Sequence, residues 1–203
     1  MTNLSGHSLS IVRGDRRLFR NLRFSLGQGE MLVVEGPNGS GKTSLLRGIA
    51  GMLEFDDGEI SWDGALTKDV WQHFRADLVW LSHRVGFKND LNITENLTFE
   101  TRLRSGSLEK LDNILFRLGL ENIATLPLAF LSAGQKRRAG LARLLVANGR
   151  LWLLDEPLTN LDKSGQELVL DLIGEHLESG GLCVAASHNL LEIEAKTHRL
   201  VLK

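Results

Sequence analysis

The chain contains no tyrosine, a single cysteine and only 3 prolines among 203 residues. A lone Cys183 cannot close an intramolecular disulfide, which fits a reducing compartment. Neither sign of charge is in excess: 24 Lys and Arg stand against 25 Asp and Glu, a net charge of −1. Neither a basic footprint for nucleic acid nor an acidic tail is expected. Even counting Gly, no apolar run exceeds about seven residues, against the roughly 18–20 needed to cross a bilayer. Any contact with a membrane is therefore expected through partners. Residues 1–10 lack a basic stretch followed by an apolar one, so no secretory signal is expected. What is present, 42% apolar and 24% charged residues, has the balance of a globular domain and excludes a disordered tail protein. The length suits one domain, or a core with a sub-domain inserted.

Polar and apolar residues alternate at 8–12 and 21–26, which predicts half-buried strands. A Gly-rich turn at 27–30 leads into Met31-Leu32-Val33-Val34, which reads as a fully buried strand. A loop follows at 36–41, then a helix over 42–50 ending at Gly51. Short strands are expected at 60–62 and 79–81. From Arg84 to Phe130 the strand pattern gives way to helical spacing, as in Leu108, Leu111, Ile114, Leu115 and Leu118, with Thr94 as a candidate N-cap. Helices at 135–147 and 165–177 then alternate with strands at 151–154, 182–187 and 199–202. The expected fold is α/β: a mostly parallel core sheet, an N-terminal antiparallel part and an inserted helical sub-domain. One domain spans 1–203, with the core at 1–83 and 131–203 and the helical part at 84–130.

Gly36-Pro37-Asn38-Gly39-Ser40-Gly41-Lys42-Thr43 fits G-x-x-x-x-G-K-[ST] in full, between a predicted strand and a predicted helix. This is a phosphate loop, and the chain is read as a P-loop NTPase. Small residues let backbone N–H groups turn toward a phosphate chain, and the helix start adds its own unpaired N–H groups. Lys42 supplies a point charge to the β/γ-phosphates, and Thr43 a hydroxyl to Mg²⁺. Leu151-Trp152-Leu153-Leu154 ends in two carboxylates, Asp155 and Glu156. At the C-terminal end of a parallel strand they face the ligand crevice. Asp155 is read as holding Mg²⁺ through its water shell, and Glu156 as polarising the attacking water. His188 ends the next strand in the same manner and is placed to hold Glu156 and the water. ATP and Mg²⁺ are the expected ligands.

Together with Leu131-Ser132-Ala133-Gly134-Gln135, these segments resemble an ABC-transporter nucleotide-binding domain over essentially the whole chain, with Ala133 in place of a usual glycine. The resemblance implies a homodimer in which Ser132 and Gly134 of one chain cap the ATP of the other. Leu161-Asp162 resembles the segment that couples the two sites. His83 stands where the family carries a glutamine, and reads either as a contact to Mg²⁺ or water, or as a hinge residue. The aromatic that usually stacks on adenine is replaced by Val12 and Arg13. Arg13 or Phe19 is then left to meet the base.

His83, Ala133, Arg13-Gly14 and the phosphate loop running on through Ser44-Leu45-Leu46-Arg47 are similar to the ATP-binding subunits of the haem exporter used in bacterial cytochrome c maturation. That branch implies an ATP hydrolase peripheral to the cytoplasmic face of the inner membrane, docked on integral subunits of a haem-handling complex. There, hydrolysis drives release of a haem-loaded chaperone. A subunit of another ABC transporter, or a soluble ABC-type clamp in translation or DNA repair, are the alternatives. Phe87, Leu91 and Ile93 fall where the family receives its membrane partner, or else form the core of the helical insertion. Lys136, Arg137, Arg138 and Arg143 read as a solvated helix face rather than a nucleic-acid patch. The four tryptophans show no regular spacing and are expected to pack. Cys183, in a buried-looking strand, is expected to be inert.

Overall fold

The computed structural model describes residues 3–83, 85–104, 107–188 and 191–203, the side chains of 103 and 104 excepted. Met1, and Arg84 where the helical insertion was expected to begin, lie outside the described residues. Two sheets organise the described residues. The first is antiparallel, in the order β2-β1-β4-β5, from β1 (Leu4–Arg13), β2 (Arg16–Leu26), β4 (Asp57–Trp62) and β5 (Ala65–Leu66). The second is parallel, in the order β6-β7-β8-β3-β9, from β3 (Met31–Glu35), β6 (Leu78–Leu81), β7 (Leu151–Asp155), β8 (Leu182–Ala186) and β9 (Thr197–Val201). The mostly parallel sheet and the N-terminal antiparallel part were both legible in the sequence.

The unbroken apolar strands have a simple cause. Successive residues of a strand point to opposite faces, and both faces of this sheet are covered. Met31, Val33, Trp152, Leu154, Cys183 and Ala185 pack toward α3 (Ile93–Arg104), α5 (Ala133–Ala147) and α6 (Lys163–Glu178). Leu32, Val34, Leu151, Leu153, Val184 and Ala186 pack toward α1 (Lys42–Ile49) and the antiparallel sheet.

Several local details differ from the sequence reading. Helix α3 is capped by Asn92, not Thr94: Asn92 Oδ1 accepts from the Glu95 amide at 2.8 Å, and Glu95 accepts from the Asn92 amide at 2.9 Å. The reciprocal pair satisfies two of the N–H groups a helix start leaves open. Helix α2 (Trp71–Asp77) carries no clear period in the sequence. It forms because Phe74 is buried against Trp62, the ring centroids 5.6 Å apart and edge-on. Between α3 and α5 lie α4 (Leu111–Arg117) and two single 3₁₀ turns. Among the described residues no helix is long and apolar enough to cross a membrane.

Candidate active site

The crevice lies at the C-terminal ends of β3, β7 and β8, three adjacent strands of the parallel sheet. The loop after β3 carries the glycine motif. Gly36 has φ +147°, and a Cβ there would lie 2.5 Å from the Leu202 carbonyl oxygen. Only glycine fits that approach. Gly41 is the N-cap of α1, at φ +105°. Pro37, Asn38 and Gly39 are exposed, Ser40 is buried, and Ser44 lies half-buried in the first turn of α1. The Lys42 ammonium donates to the Gly36 carbonyl at 2.7 Å and the Pro37 carbonyl at 3.3 Å. It therefore lies along the loop, where a phosphate chain would exchange those acceptors for its own oxygens.

Thr43 Oγ1 donates to both carboxylate oxygens of Asp155 at 3.1 Å. A hydroxyl and a carboxylate meeting in this way are the hard oxygen donors that Mg²⁺ selects. Burial raises the Asp155 pKa, the Thr43 hydrogen bond opposes that, and the nearby Glu156 charge adds to it. Adjacent Glu156 takes φ +50°, rare for a residue with a side chain. The strand-end turn aims its carboxylate sideways, 2.6 Å from His188 Nδ1. The Glu156 amide donates to Ala186 O at 2.8 Å, which ties the turn to β8.

His83 is exposed just after β6. It is close enough for its charge to lower the Asp155 pKa, but no hydrogen bond joins the two among the described residues. Ser132 is the N-cap of α5 in a reciprocal pair with Gln135. A Cβ on Gly134 would lie 3.1 Å from the Asn160 carbonyl oxygen. Asp162 caps α6, its Oδ1 accepting from the Gly165 amide at 3.0 Å and from Arg138 at 3.2 Å. The Gly165 amide, then Ser164 and Arg138, hold the Asp162 carboxyl below its ordinary pKa. Signature and coupling segments thus share one open cleft of about 340 Å³, lined by Ser132, Gly134, Arg138, Asn160 and Asp162 and by none of residues 36–43.

Two readings of the basic helix change. Arg137 and Arg143 are not solvated: they are 3% and 8% exposed. The Arg143 guanidinium sits 4.3 Å over the Phe87 ring, pairs with Glu100 at 3.1 Å and donates to Val85 O at 2.7 Å. Arg137 bonds the carbonyls of the acidic strand end. The sequence held a signal for this, since Arg137 shares a helical face with the buried Leu141 and Leu144. Near neutrality of the whole chain says nothing about one side chain. Phe19, 8% exposed, belongs to the core and lies beside Gly41 of the phosphate loop. Arg16, unremarked in the sequence, places its guanidinium 3.8 Å from where a Gly39 Cβ would stand. Ile93 is core. Phe87 and Leu91 are only partly buried. Cys183 is wholly buried, and burial pushes its thiol pKa far up, which disfavours the reactive thiolate.

Known proteins resemble this chain in sequence and in fold. A family model described as ABC transporter covers residues 19–159, more than half of the chain. The "Cytochrome c biogenesis ATP-binding export protein CcmA" of Nitrosospira multiformis is 44% identical over 195 residues, 95% of each chain. The protein of that name from Paramagnetospirillum magneticum is 45% identical over 92% of this chain and 88% of its own. Among solved structures, a putative ABC transporter ATP-binding protein from Pyrococcus furiosus aligns with a TM-score of 0.83 at 25% identity, over 98% of this chain and 97% of its own. An ATP-binding subunit of an ABC transporter gives 0.82 at 23% identity, over 91% and 79%. The chain belongs to the ABC transporter family, among ATP-binding proteins similar to CcmA.

Proposed function

We propose that this chain is the ATP-hydrolysing subunit of a membrane complex for haem export and cytochrome c maturation. One observation carries the reading: Lys42, Thr43, Asp155, Glu156 and His188 converge at three neighbouring strand ends. ATP would lie with its phosphates along 36–44, on the amides of the loop and the ammonium of Lys42. Thr43 and Asp155 would hold Mg²⁺, which neutralises charge on the β/γ-phosphates when bound. Glu156 orients the attacking water and takes its proton, and His188 holds the Glu156 carboxylate at the required angle. The full chain is one ATPase domain, with core 1–83 and 131–203 and a helical sub-domain at 84–130.

Signature residues Ser132 and Gly134 serve the ATP of a second copy. This is supported by their cleft, which they share with Asp162 and not with their own phosphate loop. His83, between β6 and the helical part, links the nucleotide to the surface around Phe87 and Leu91 that meets integral membrane partners. The chain then sits peripherally on the cytoplasmic face of the bacterial inner membrane. Binding of ATP closes the homodimer, and hydrolysis drives release of a haem-loaded chaperone from those partners. CcmA proteins, whose name states a role in cytochrome c biogenesis, support this branch over another transporter.

Glu156→Gln tests both levels. Without its general base the variant is expected to bind ATP but hydrolyse it at least ~10²-fold more slowly. Tagged and trapped with ATP in its own host, it is expected to co-purify the membrane subunits and chaperone of cytochrome c maturation. An unrelated permease would keep the ATPase mechanism and discard the haem branch. Wild-type turnover would remove Glu156 from the mechanism.

A further inference from the structure

One buried side chain fastens three parts of the crevice together. Arg137, in α5 five residues after Ser132, is 3% exposed. Its Nη1 donates to Ser82 O at 2.8 Å, and its Nη2 to Glu156 O at 2.7 Å and Asp155 O at 3.1 Å. Its Nε donates to Pro157 O at 3.2 Å. All three guanidinium nitrogens are thus engaged, and every acceptor is a main-chain carbonyl. Ser82 immediately precedes His83, the other three residues form the acidic strand end and its turn, and Arg137 itself belongs to the helix capped by Ser132.

Burial without a directly bonded carboxylate is costly for a cation. Desolvation pushes the Arg137 pKa down to about 10, against the opposing pull of the Asp155 and Glu156 charges. A mere space-filler would be better served by an apolar side chain. The carbonyl it grips most closely belongs to Glu156, whose φ of +50° is a strained conformation that the surroundings must hold in place.

We propose that Arg137 is a positioning residue for ATP hydrolysis. Its planar fork clamps the turn that presents Glu156 to the water, and ties that turn to Ser82 and to the signature helix. This rests on the reading of Glu156 as general base. A movement of α5 or of the segment around His83 then reaches the catalytic carboxylate through one rigid group.

Glutamine at 137 can reach at most two of the four carbonyls. Lysine keeps the charge but loses the planar fork. Both variants are to be purified in the full chain with its membrane partners, and kcat, KM and ATP affinity measured beside thermal unfolding. A misplaced catalytic group costs up to ~10²-fold, so Arg137→Gln and Arg137→Lys are expected to lower kcat by ~10- to 100-fold while ATP affinity stays within ~3-fold. In a Glu156→Gln background the same substitutions are expected to change the residual rate by less than ~3-fold, because they act through the missing carboxylate. Wild-type kcat in folded Arg137→Gln, equal losses in both backgrounds, or a loss seen only in ATP affinity would each overturn the proposal. If Arg137→Gln does not fold, Arg137→Lys decides by the same criteria. Slow Glu156→Gln beside an unaffected Arg137→Gln defeats this proposal alone, whereas wild-type Glu156→Gln defeats the base assignment on which it stands.

Discussion

Lys42 shows how a single residue is prepared for its ligand. In the structure its ammonium is already buried and turned back on the Gly36 and Pro37 carbonyls. Phosphate binding as proposed would replace two neutral acceptors by charged ones, and charge-assisted hydrogen bonds are the stronger kind. Lys42→Ala removes both sets and leaves the loop carbonyls to water. A hydrogen bond to a charged group is worth about 1.5–3 kcal/mol, which corresponds to roughly 10- to 150-fold in affinity. Titration with a fluorescent ATP analogue is expected to show a loss in that range, and unchanged affinity would contradict the placement of the phosphates on this loop. Asp155 and Glu156 illustrate the complementary point. Both are carboxylates at one strand end, yet one is buried on Thr43 and the other swung toward His188, because the backbone turns between them at a positive φ. Adjacent residues of identical charge thereby receive different surroundings, which suits the different tasks proposed for them.

Among the elements, the passage from β6 into α3 is fastened by a side chain that the sequence did not single out. Asn96 is 4% exposed. Its Oδ1 accepts from the Lys88 amide at 2.8 Å, and its Nδ2 lies within 3.3 Å of the Lys88, Leu91 and Asn92 carbonyls. The loop after His83 is thus bonded to the first turns of α3, and through it to the helical part. Asn96→Ala would take the acceptor from the Lys88 amide, while the Lys88, Leu91 and Asn92 carbonyls keep their main-chain donors. An unmet amide costs about 1–3 kcal/mol, so a drop in melting temperature is expected, measurable by circular dichroism. An unchanged melting temperature would show that water replaces the amide at no cost. The sequence announces a helix here through a cap signal at Thr94, and Ile93 and Leu97 are its core residues. It does not reveal the Asn96 network, because hydrogen bonds to main-chain atoms leave no periodic trace.

At the scale of the molecule, two groups make the fold sensitive to acid in different pH windows. His176 of α6 stacks on Trp152 of β7, the rings 4.0 Å apart and 7° from parallel. Burial there lowers its pKa from 6.5 to about 4, although its Nε2 bonds the Leu182 carbonyl. The folded state therefore favours the neutral ring. Its contribution to stability is complete above the unfolded value of 6.5 and is lost as pH falls from there toward 4. Glu30 behaves as a second acid-sensitive group in a lower window. The Gly27 amide and Lys196 hold its pKa at about 2 rather than 4.5, so its share is lost only below that ordinary value. Unfolding temperatures followed downward from about pH 7 to 4.5 are expected to fall, and less steeply in His176→Phe, which keeps a ring on Trp152 and cannot titrate. Equal slopes in the two proteins would remove His176 from the explanation.

The sequence by itself determined the family and the class of fold, and it marked the residues to which the chemistry is assigned. The glycine spacing of 36–41, the lysine and threonine after it, the apolar strand ending in Asp155-Glu156 and the five residues from Leu131 are local patterns. Each is dictated by what a phosphate, a strand end or a helix start requires within a few residues. Alternation of strands with helices followed from periodicity for the same reason. Tertiary structure alone decided which distant groups meet. Arg137 reaches Ser82 across 55 residues and Asp155 across 18, and the guanidinium that local patterning assigned to solvent proves buried. Arg16 approaches the phosphate loop because β2 crosses beside Gly41, where Leu18 and Phe19 lie within 3.1–3.3 Å of a Cβ position. Such contacts depend on how faces of remote elements are brought together. A one-dimensional pattern records which face of an element is apolar, and not which partner that face will find.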